Sequence, residues 1–308
     1  LIDEGAKLLL PCEVKVVDEV LESQSFRKQR TLSSQITFSG VGLFSGVQVN
    51  MKLIPAKEGT GIVFKRVDLP QNPIIPAHVD YILDTPRCTI LGNKERVVVQ
   101  SVEHILSALS AFNIDNLIIE LDGPEVPVGD GSALAFVNLL EKSRVEEQNE
   151  TKQDRYLNSP VYWSDGKVHI VAIPAKELQF SYTLTYPGHP LLNSQFYSFV
   201  MNTRSYIEEI APCRTFSLYE EIVSLLDKGI IKGGNLSNGV VIKGEEVLNP
   251  EGLRFSDEMV RHKILDLIGD ISLMGERVVA HYIAIRSGHF ANGQLAKTIL
   301  ACLKGANN

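Results

Sequence analysis

Basic charge, cysteine and long apolar runs are what this sequence has little of, and each shortage removes a class of function. Thirty basic residues stand against 37 acidic ones, a formal net charge of −7. A nucleic-acid binder needs a basic face to displace counterions from phosphates, and none is visible here. Four cysteines, at positions 12, 88, 213 and 302, share no CxxC spacing and are too sparse for a disulfide scaffold. No apolar stretch approaches the roughly 18–20 residues that span a bilayer. The run Val278–Ile285 is broken by His281 and reads as a core strand. With no signal-like segment, the expectation is a soluble protein of a reducing, cytoplasmic compartment.

What remains is ordinary globular composition, 44% hydrophobic and 22% charged over 308 residues, enough for about two domains. Residues 1–26 hold two acidic helical pieces around a short VKVV strand and read as an appendage without chemistry of its own. Short strands are then expected over 31–38 and 47–53, separated by the glycine-rich reversal GVGLFSG, and over 61–65 and 96–99. A helix follows over 101–112, with Ser101 as N-cap and Val102, Ile105, Leu106 and Leu109 at helical spacing. Next come a strand at 117–121, the polar-glycine loop GPEVPVGDGS and a helix over 133–141. The run 143–158 is almost purely polar and reads as a connection. It places a linker at 146–158 between a first domain, 27–145, and a second, 159–308.

Beyond it the grammar repeats. Strands are expected at 160–163, 167–173 and 178–186, and helices near 203–210 and 218–228. A βαβ-like piece at 239–248, a long helix at 256–274, a strand at 278–285 and a last helix at 291–303 complete the chain. Two successive strand-then-helix units mean α+β rather than a doubly wound α/β sheet.

Chemistry concentrates at a few places. On the helix 256–274, His262, Asp266 and Asp270 are spaced four apart and share one face. A His and an Asp one turn apart can chelate a metal from a rigid support, although a surface His–Asp pair fits the same spacing. Glu103 and His104 point about 100° apart on their helix, so one can bind a metal while the other addresses water beside it. A glutamate complementing the helix dipole is the plainer reading. His289, flanked by glycine just after an apolar strand, sits where functional loops concentrate. The Cys213-Arg214-Thr215-Phe216 cluster and Lys167 in an SDGK turn say little by themselves.

Together, in order, QRTL, GVGLFSG, SVEH, GPEVPVGDGS, CRTF, NPEGLRF, VRHKILDLIGD and SGH closely resemble the UDP-3-O-acyl-N-acetylglucosamine deacetylases, zinc amidases of the committed stage of lipid A synthesis. The resemblance runs from about Gln29 to Leu303. It implies two domains, each a two-layer α/β sandwich, with the active site between the apposed helical layers. It also implies one Zn2+ per chain on His104, His262 and Asp266, a ligand set that would accept Fe2+ as well. Glu103 is then the general base, His289 the general acid, Thr215 the hydroxyl donor at the scissile carbonyl, and Asp270 a charged support on the acid side. Lys263 falls where the family contacts substrate, Phe216 near the sugar-nucleotide, and Lys167 where a lysine meets phosphate.

An acyl-channel insert is implied at about 218–242, with Ile222, Leu226, Ile230, Ile231, Val240 and Val241 as candidate walls and Gly233-Gly234 as a turn at its base. Two residues depart from the family pattern. Phe44 replaces the histidine of GVGLH, and Leu218 stands where many members carry a second aromatic after RTF. The implied reaction is hydrolysis of the acetamide of UDP-3-O-(3-hydroxyacyl)-N-acetylglucosamine, giving the free amine and acetate. The expected chain is a monomer acting on a UDP-acyl-amino-sugar, with no membrane span but peripheral contact with the membrane that supplies its lipid-like substrate. A catalytically silent sugar-nucleotide or lipid binder on the same scaffold is the competing reading, against which Glu103 and His289 count, since a binding module needs neither. A third reading is a bifunctional or partner-tethered enzyme, with residues 1–26 as the remnant of a fused module or a docking arm.

Overall fold

The computed structural model describes residues 25–83 and 87–305. The expectations for the N-terminal appendage therefore fall outside the described residues, apart from Ser25 and Phe26. In the first half, alternating residues give β1 (Phe26–Leu32), β2 (Ile36–Val41), β3 (Gln48–Pro55), β4 (Ile62–Arg66) and β5 (Ile74–Pro76). Three short strands follow, β6 (Ile82–Leu83), β7 (Ile90–Gly92) and β8 (Val98–Gln100), then α1 (Glu103–Ala111), β9 (Leu117–Leu121) and α2 (Leu134–Ser143). Five of these strands form one sheet in the order β2-β3-β9-β4-β5, with β4 and β9 parallel. Val49, Met51 and Leu53 alternate inward along β3 and are buried, as period-2 patterning demands.

The second half adds β10 (Val145–Gln153), β11 (Arg155–Tyr156), β12 (Val161–Ser164), β13 (His169–Pro174), β14 (Gln179–Leu184) and β15 (Gln195–Val200). It continues with α3 (Thr203–Glu209), β16 (Phe216–Leu218), α4 (Tyr219–Asp227), β17 (Val240–Lys243), β18 (Glu246–Val247), α5 (Glu258–Ser272), β19 (Val278–Ile285) and α6 (His289–Gly305). Its main sheet runs β12-β13-β19-β14-β15, with β11 beside β19. Sheets of mixed direction carrying helices, without regular βαβ alternation, make the fold α+β as expected.

Helix α5 is buried nearly all round, from Met259 to Ile271, which marks a central helix and not a surface one. It packs on α1, and the contact is backbone-close. A Cβ on Gly269 would collide with the carbonyl of Glu103, so only glycine lets the two helices approach this far.

Three expectations are corrected. The polar run read as a linker at 146–158 is mostly strand β10, paired antiparallel with β1. Its charges are cross-strand partners: Arg30 Nη2 lies 3.1 Å from Glu147 Oε1, and the two residues sit opposite each other in the ladder. The piece at 239–248 is the hairpin β17–β18 without a helix, and β17 pairs in parallel with β16. Ser101 is not the helix cap. It holds a positive φ of 57° before an N-cap at Val102 that makes no side-chain cap bond.

Replacing Gly269 by alanine forces α1 and α5 apart. Overpacking of this kind typically costs about 1–3 kcal/mol. Denaturant unfolding of Gly269→Ala is expected to show that loss, and unchanged stability would contradict the close helix contact.

Candidate metal centre

The face His262–Asp266–Asp270 is not on the surface. The three residues are 2%, 3% and 1% exposed, so the reading as a surface His–Asp pair does not apply. His104, from the first turn of α1, meets this face across the helix contact. Candidate ligand atoms of His104, His262 and Asp266 all lie within 4.8 Å of one another. Asp266 Oδ1 is 3.5 Å from His104 Nε2 and 3.3 Å from His262 Nε2. His262 Nδ1 donates to the Cys213 carbonyl at 3.0 Å, and burial pushes its pKa down to about 4. The neutral ring thus presents its Nε2 lone pair to the cluster.

The Asp266 carboxylate is held well below the usual carboxylate range. Burial opposes ionisation, but the positive Lys263 ammonium beside the carboxylate holds it ionised. Lys263 Nζ takes Oδ2 at 2.7 Å, whereas Oδ1 is buried without a hydrogen-bond partner. An orphaned carboxylate oxygen between two imidazoles is the donor set of a divalent cation site, and three ligands leave a coordination position open. The residues present fit a metal ion.

Beside this cluster lie the expected proton-transfer groups. Glu103 is buried, and burial raises its pKa. Its Oε2 accepts the Thr89 backbone N–H at 3.1 Å, and Oε1 stands 4.0 Å from His289 Nε2. His289 opens α6, with Nδ1 3.0 Å from Asp270 Oδ2 and 3.2 Å from Thr89 Oγ1. Burial alone would lower the His289 pKa, but the Asp270 and Glu103 carboxylates raise it to about 9. Asp270 also accepts from the Thr89 hydroxyl at 2.5 Å and from Asn292 Nδ2 at 2.8 Å.

Two cavities meet here. The first, about 400 Å³, is lined by Glu103, His104, Thr215, His262, Asp266 and His289 among others. The second, about 510 Å³, shares Thr215, Phe216, Lys263 and His289 with it and runs into the 218–242 region. Ile222, Ile231, Gly234, Val240 and Val241 line the second cavity. Ile230 is exposed, and the side chain of Leu226 falls outside the described residues. Lys167 sits exposed in the turn between β12 and β13, away from both linings.

Gly233 does not serve as a turn with positive φ. Its missing Cβ lets the insert lie against the Gly42 carbonyl, and its N–H donates to Leu43 at 3.0 Å. The GVGLFSG reversal is held from below by the buried Glu125 carboxylate, which accepts Phe44 N–H at 3.0 Å, Ser45 N–H at 2.7 Å and the Ser101 hydroxyl at 2.8 Å.

The sequence model of the LpxC family, UDP-3-O-acyl N-acetylglycosamine deacetylase, matches residues 29–301. The chain belongs to this family. The UDP-3-O-acyl-N-acetylglucosamine deacetylase of Chlamydia caviae is 45% identical over 278 residues, 90% of this chain and 99% of the relative. That of Chlamydia pneumoniae is 44% identical over 279 residues with the same coverage. That of Chlamydia muridarum is 42% identical over 278 residues, 90% of this chain and 96% of the relative.

Around this deacetylase-family site, Thr89 and Asn292 are not signalled by the sequence motifs, and Arg214 is signalled only as part of its cluster, without a role. Thr89 touches Glu103 through its backbone and both Asp270 and His289 through its hydroxyl. Arg214, 1% exposed, clamps Glu258 at the start of α5 through Nε at 2.8 Å and Nη2 at 3.1 Å. That clamp lies between the Cys213 carbonyl and Thr215. The one signal available was the i, i+3 step from His289 to Asn292, which places Asn292 one turn into α6 on the same face.

The His289–Asp270 pair gives a prediction for the metal-free chain. The folded pKa of about 9 exceeds the ordinary 6.5. The folded state therefore holds the extra proton between those values, and stability from the pair is full below about 6.5 and lost as pH rises through about 9. Asp270→Asn is expected to lower the His289 imidazole titration by NMR and to flatten the fall in stability over that window.

Proposed function

We propose that this chain hydrolyses the acetamide of UDP-3-O-(3-hydroxyacyl)-N-acetylglucosamine, releasing acetate and the free amine. The observation that carries the reading is the convergence of the orphaned Asp266 Oδ1 and two imidazole nitrogens beside a buried glutamate and a raised-pKa histidine. His104, His262 and Asp266 would hold the cation, Zn2+ or Fe2+. When bound, that ion supplies Lewis-acid activation of water and of the amide carbonyl.

The chain's own groups divide the proton work. Glu103, ionised, accepts the proton of the attacking water. The Thr215 hydroxyl, on the wall common to both cavities, donates to the oxyanion that forms at the carbonyl, a contribution of about 3–4 kcal/mol for a donor of this kind. His289, kept protonated by Asp270, delivers a proton from Nε2 to the departing nitrogen, because an amide anion is too poor a leaving group. Asp270 acts by holding His289, not by touching substrate. Lys263 neutralises Asp266 and, facing both cavities, contacts substrate with its remaining N–H groups.

The sugar sits in the polar cavity near Phe216, and the hydroxyacyl chain enters the apolar one between α4 and β17. Lys167 contacts phosphate only if a long substrate reaches the β12–β13 turn. Among the described residues no helix is long and apolar enough to cross a membrane. The reading places the enzyme in the cytoplasm, in peripheral contact with the membrane.

The silent-binder reading is not favoured, since a module that only binds has no use for a glutamate and a histidinium at this separation. Glu103→Ala is expected to lower turnover by about 10²–10⁴-fold while UDP binding persists. Chelation should abolish acetate release and one equivalent of zinc restore it. Activity indifferent to both would refute the assignment. A bell-shaped rate profile is also expected, its alkaline limb set by His289 and displaced to lower pH in Asp270→Asn.

A further inference from the structure

One buried residue joins the two proton-transfer groups without facing either cavity at the metal centre. Thr89 stands just before β7, is 3% exposed, and belongs to neither lining. Its main chain is pinned twice to the start of α1. The Thr89 N–H donates to Glu103 Oε2 at 3.1 Å, and its carbonyl accepts the Val102 N–H at 3.4 Å. The β7–β8 ladder begins at the next residue, with Ile90 opposite Gln100, and holds the segment in place. From this fixed backbone the side chain reaches α5 and α6. Its Oγ1 lies 2.5 Å from Asp270 Oδ1 and 3.2 Å from His289 Nδ1.

Counting donors fixes the direction of each bond. A threonine hydroxyl has one hydrogen, and a carboxylate only accepts. The hydroxyl therefore donates to Asp270 Oδ1, and Oγ1 is left to accept from His289. The same Nδ1 meets Asp270 Oδ2 at 3.0 Å, so its hydrogen is shared between two acceptors. The hydrogen that a neutral ring keeps is thus on Nδ1, and the one it can give away is on Nε2. Asn292 Nδ2 holds Asp270 Oδ2 at 2.8 Å. With Thr89 holding the other oxygen, the carboxylate does not turn, and Oδ2 stays on the ring. On the base, the Thr89 N–H occupies Oε2 and leaves Oε1 as the oxygen 4.0 Å from His289 Nε2.

We propose that Thr89 is a positioning residue for deacetylation. From one rigid point it sets the placement of the proton-accepting Glu103 Oε1 relative to the proton-donating His289 Nε2. This role rests on the deacetylase reading of the site. Glu103 is carried by α1 and His289 by α6, and a residue bonded to both fixes a spacing that neither helix fixes alone. The two arms are chemically separable. The arm to the base is main chain and survives a side-chain exchange, whereas the arm to the acid is the hydroxyl.

Thr89→Val replaces the hydroxyl by a methyl group of similar shape and keeps the N–H on Glu103. In the zinc-loaded full chain it is expected to lower kcat for acetate release by about 10²-fold, the loss that follows a small misplacement of reacting groups. KM and zinc affinity should not change, since neither substrate nor metal meets Thr89. Thr89→Ser, which retains the hydroxyl, is expected to recover most of the rate. A second readout needs neither metal nor substrate. By NMR of the zinc-free chain, the His289 Nδ1–H proton should exchange slowly with water in the wild type and Thr89→Ser, and rapidly in Thr89→Val. Thr89→Ala, which adds no bulk, replaces the valine variant should that fail to fold.

A wild-type rate in Thr89→Val, or a loss that Thr89→Ser does not recover, would overturn the proposal. So would a matching rise in KM, which would place Thr89 in substrate binding. A wild-type chain that releases no acetate with zinc would count against the deacetylase reading itself. The Nδ1–H proton would then still decide whether Thr89 holds His289: rapid exchange in Thr89→Val supports that hold, and an unchanged signal overturns it.

Discussion

The contact between α1 and α5 at Gly269 is the constraint on which the site depends. His104 and Glu103 come from one helix, and His262, Asp266 and Asp270 from another more than 150 residues later in the chain. Neither helix alone offers more than two donors to one point. With no Cβ between them, the first turn of α1 lies directly on the middle of α5, and the two sets of side chains meet on one wall of the first cavity. The same burial that makes α5 a core helix shifts its titratable groups: His262 is kept neutral, and Glu103 on the facing helix is raised. Packing and electrostatics at this site have a single cause.

Burying so many ionisable groups is expensive, and the way the cost is offset distinguishes the two sides of the site. On one side Asp270 is fully provided for by Thr89, His289 and Asn292. Three donors on one carboxylate fix its geometry. On the other side Asp266 is half satisfied: Lys263 covers Oδ2 and nothing donates to Oδ1. Leaving a buried charge unpaired typically costs about 3–5 kcal/mol, so Lys263 is needed even in the metal-free chain. The orphaned oxygen is the position where a cation, and not another hydrogen bond, completes the arrangement. Under the proposed reaction, a rigid acid side and an incomplete metal side serve different ends, since one must hold a proton steadily and the other must exchange a ligand.

Legibility in the sequence followed the locality of the signal. The spacing of His262, Asp266 and Asp270 is a local helical property and was readable directly. Whether that face was buried was not, because it depends on α1 arriving from elsewhere in the chain. The ordered motifs carried the assignment of His104, Glu103 and His289, which no single spacing could have joined. Strand β10 was misread because a solvated ribbon and a linker share one composition. The difference lies in β1, whose Arg30 is the cross-strand partner of Glu147. Thr89, and the role of Arg214 within its CRTF cluster, were invisible for a related reason. Their function is to touch residues distant in sequence, and a threonine or arginine in a loop has no periodicity to betray it.

The glycine-rich reversal shows how a departure from a family pattern is accommodated. Phe44 stands on the wall of both cavities at the candidate metal centre, where a polar side chain would present a hydrogen-bonding group to the space between them. Its position is fixed through the backbone, by the N–H bonds of Phe44 and Ser45 to the buried Glu125 and by the insert resting against Gly42 and Leu43. The loop's path is therefore independent of what residue 44 carries. Exchanging its side chain alters the lining, making the junction of the two cavities more apolar, without disturbing the metal centre. A chain that holds its ligands on buried helices and its lining on backbone-anchored loops can change what it accommodates while keeping its chemistry, because the two are held by different bonds.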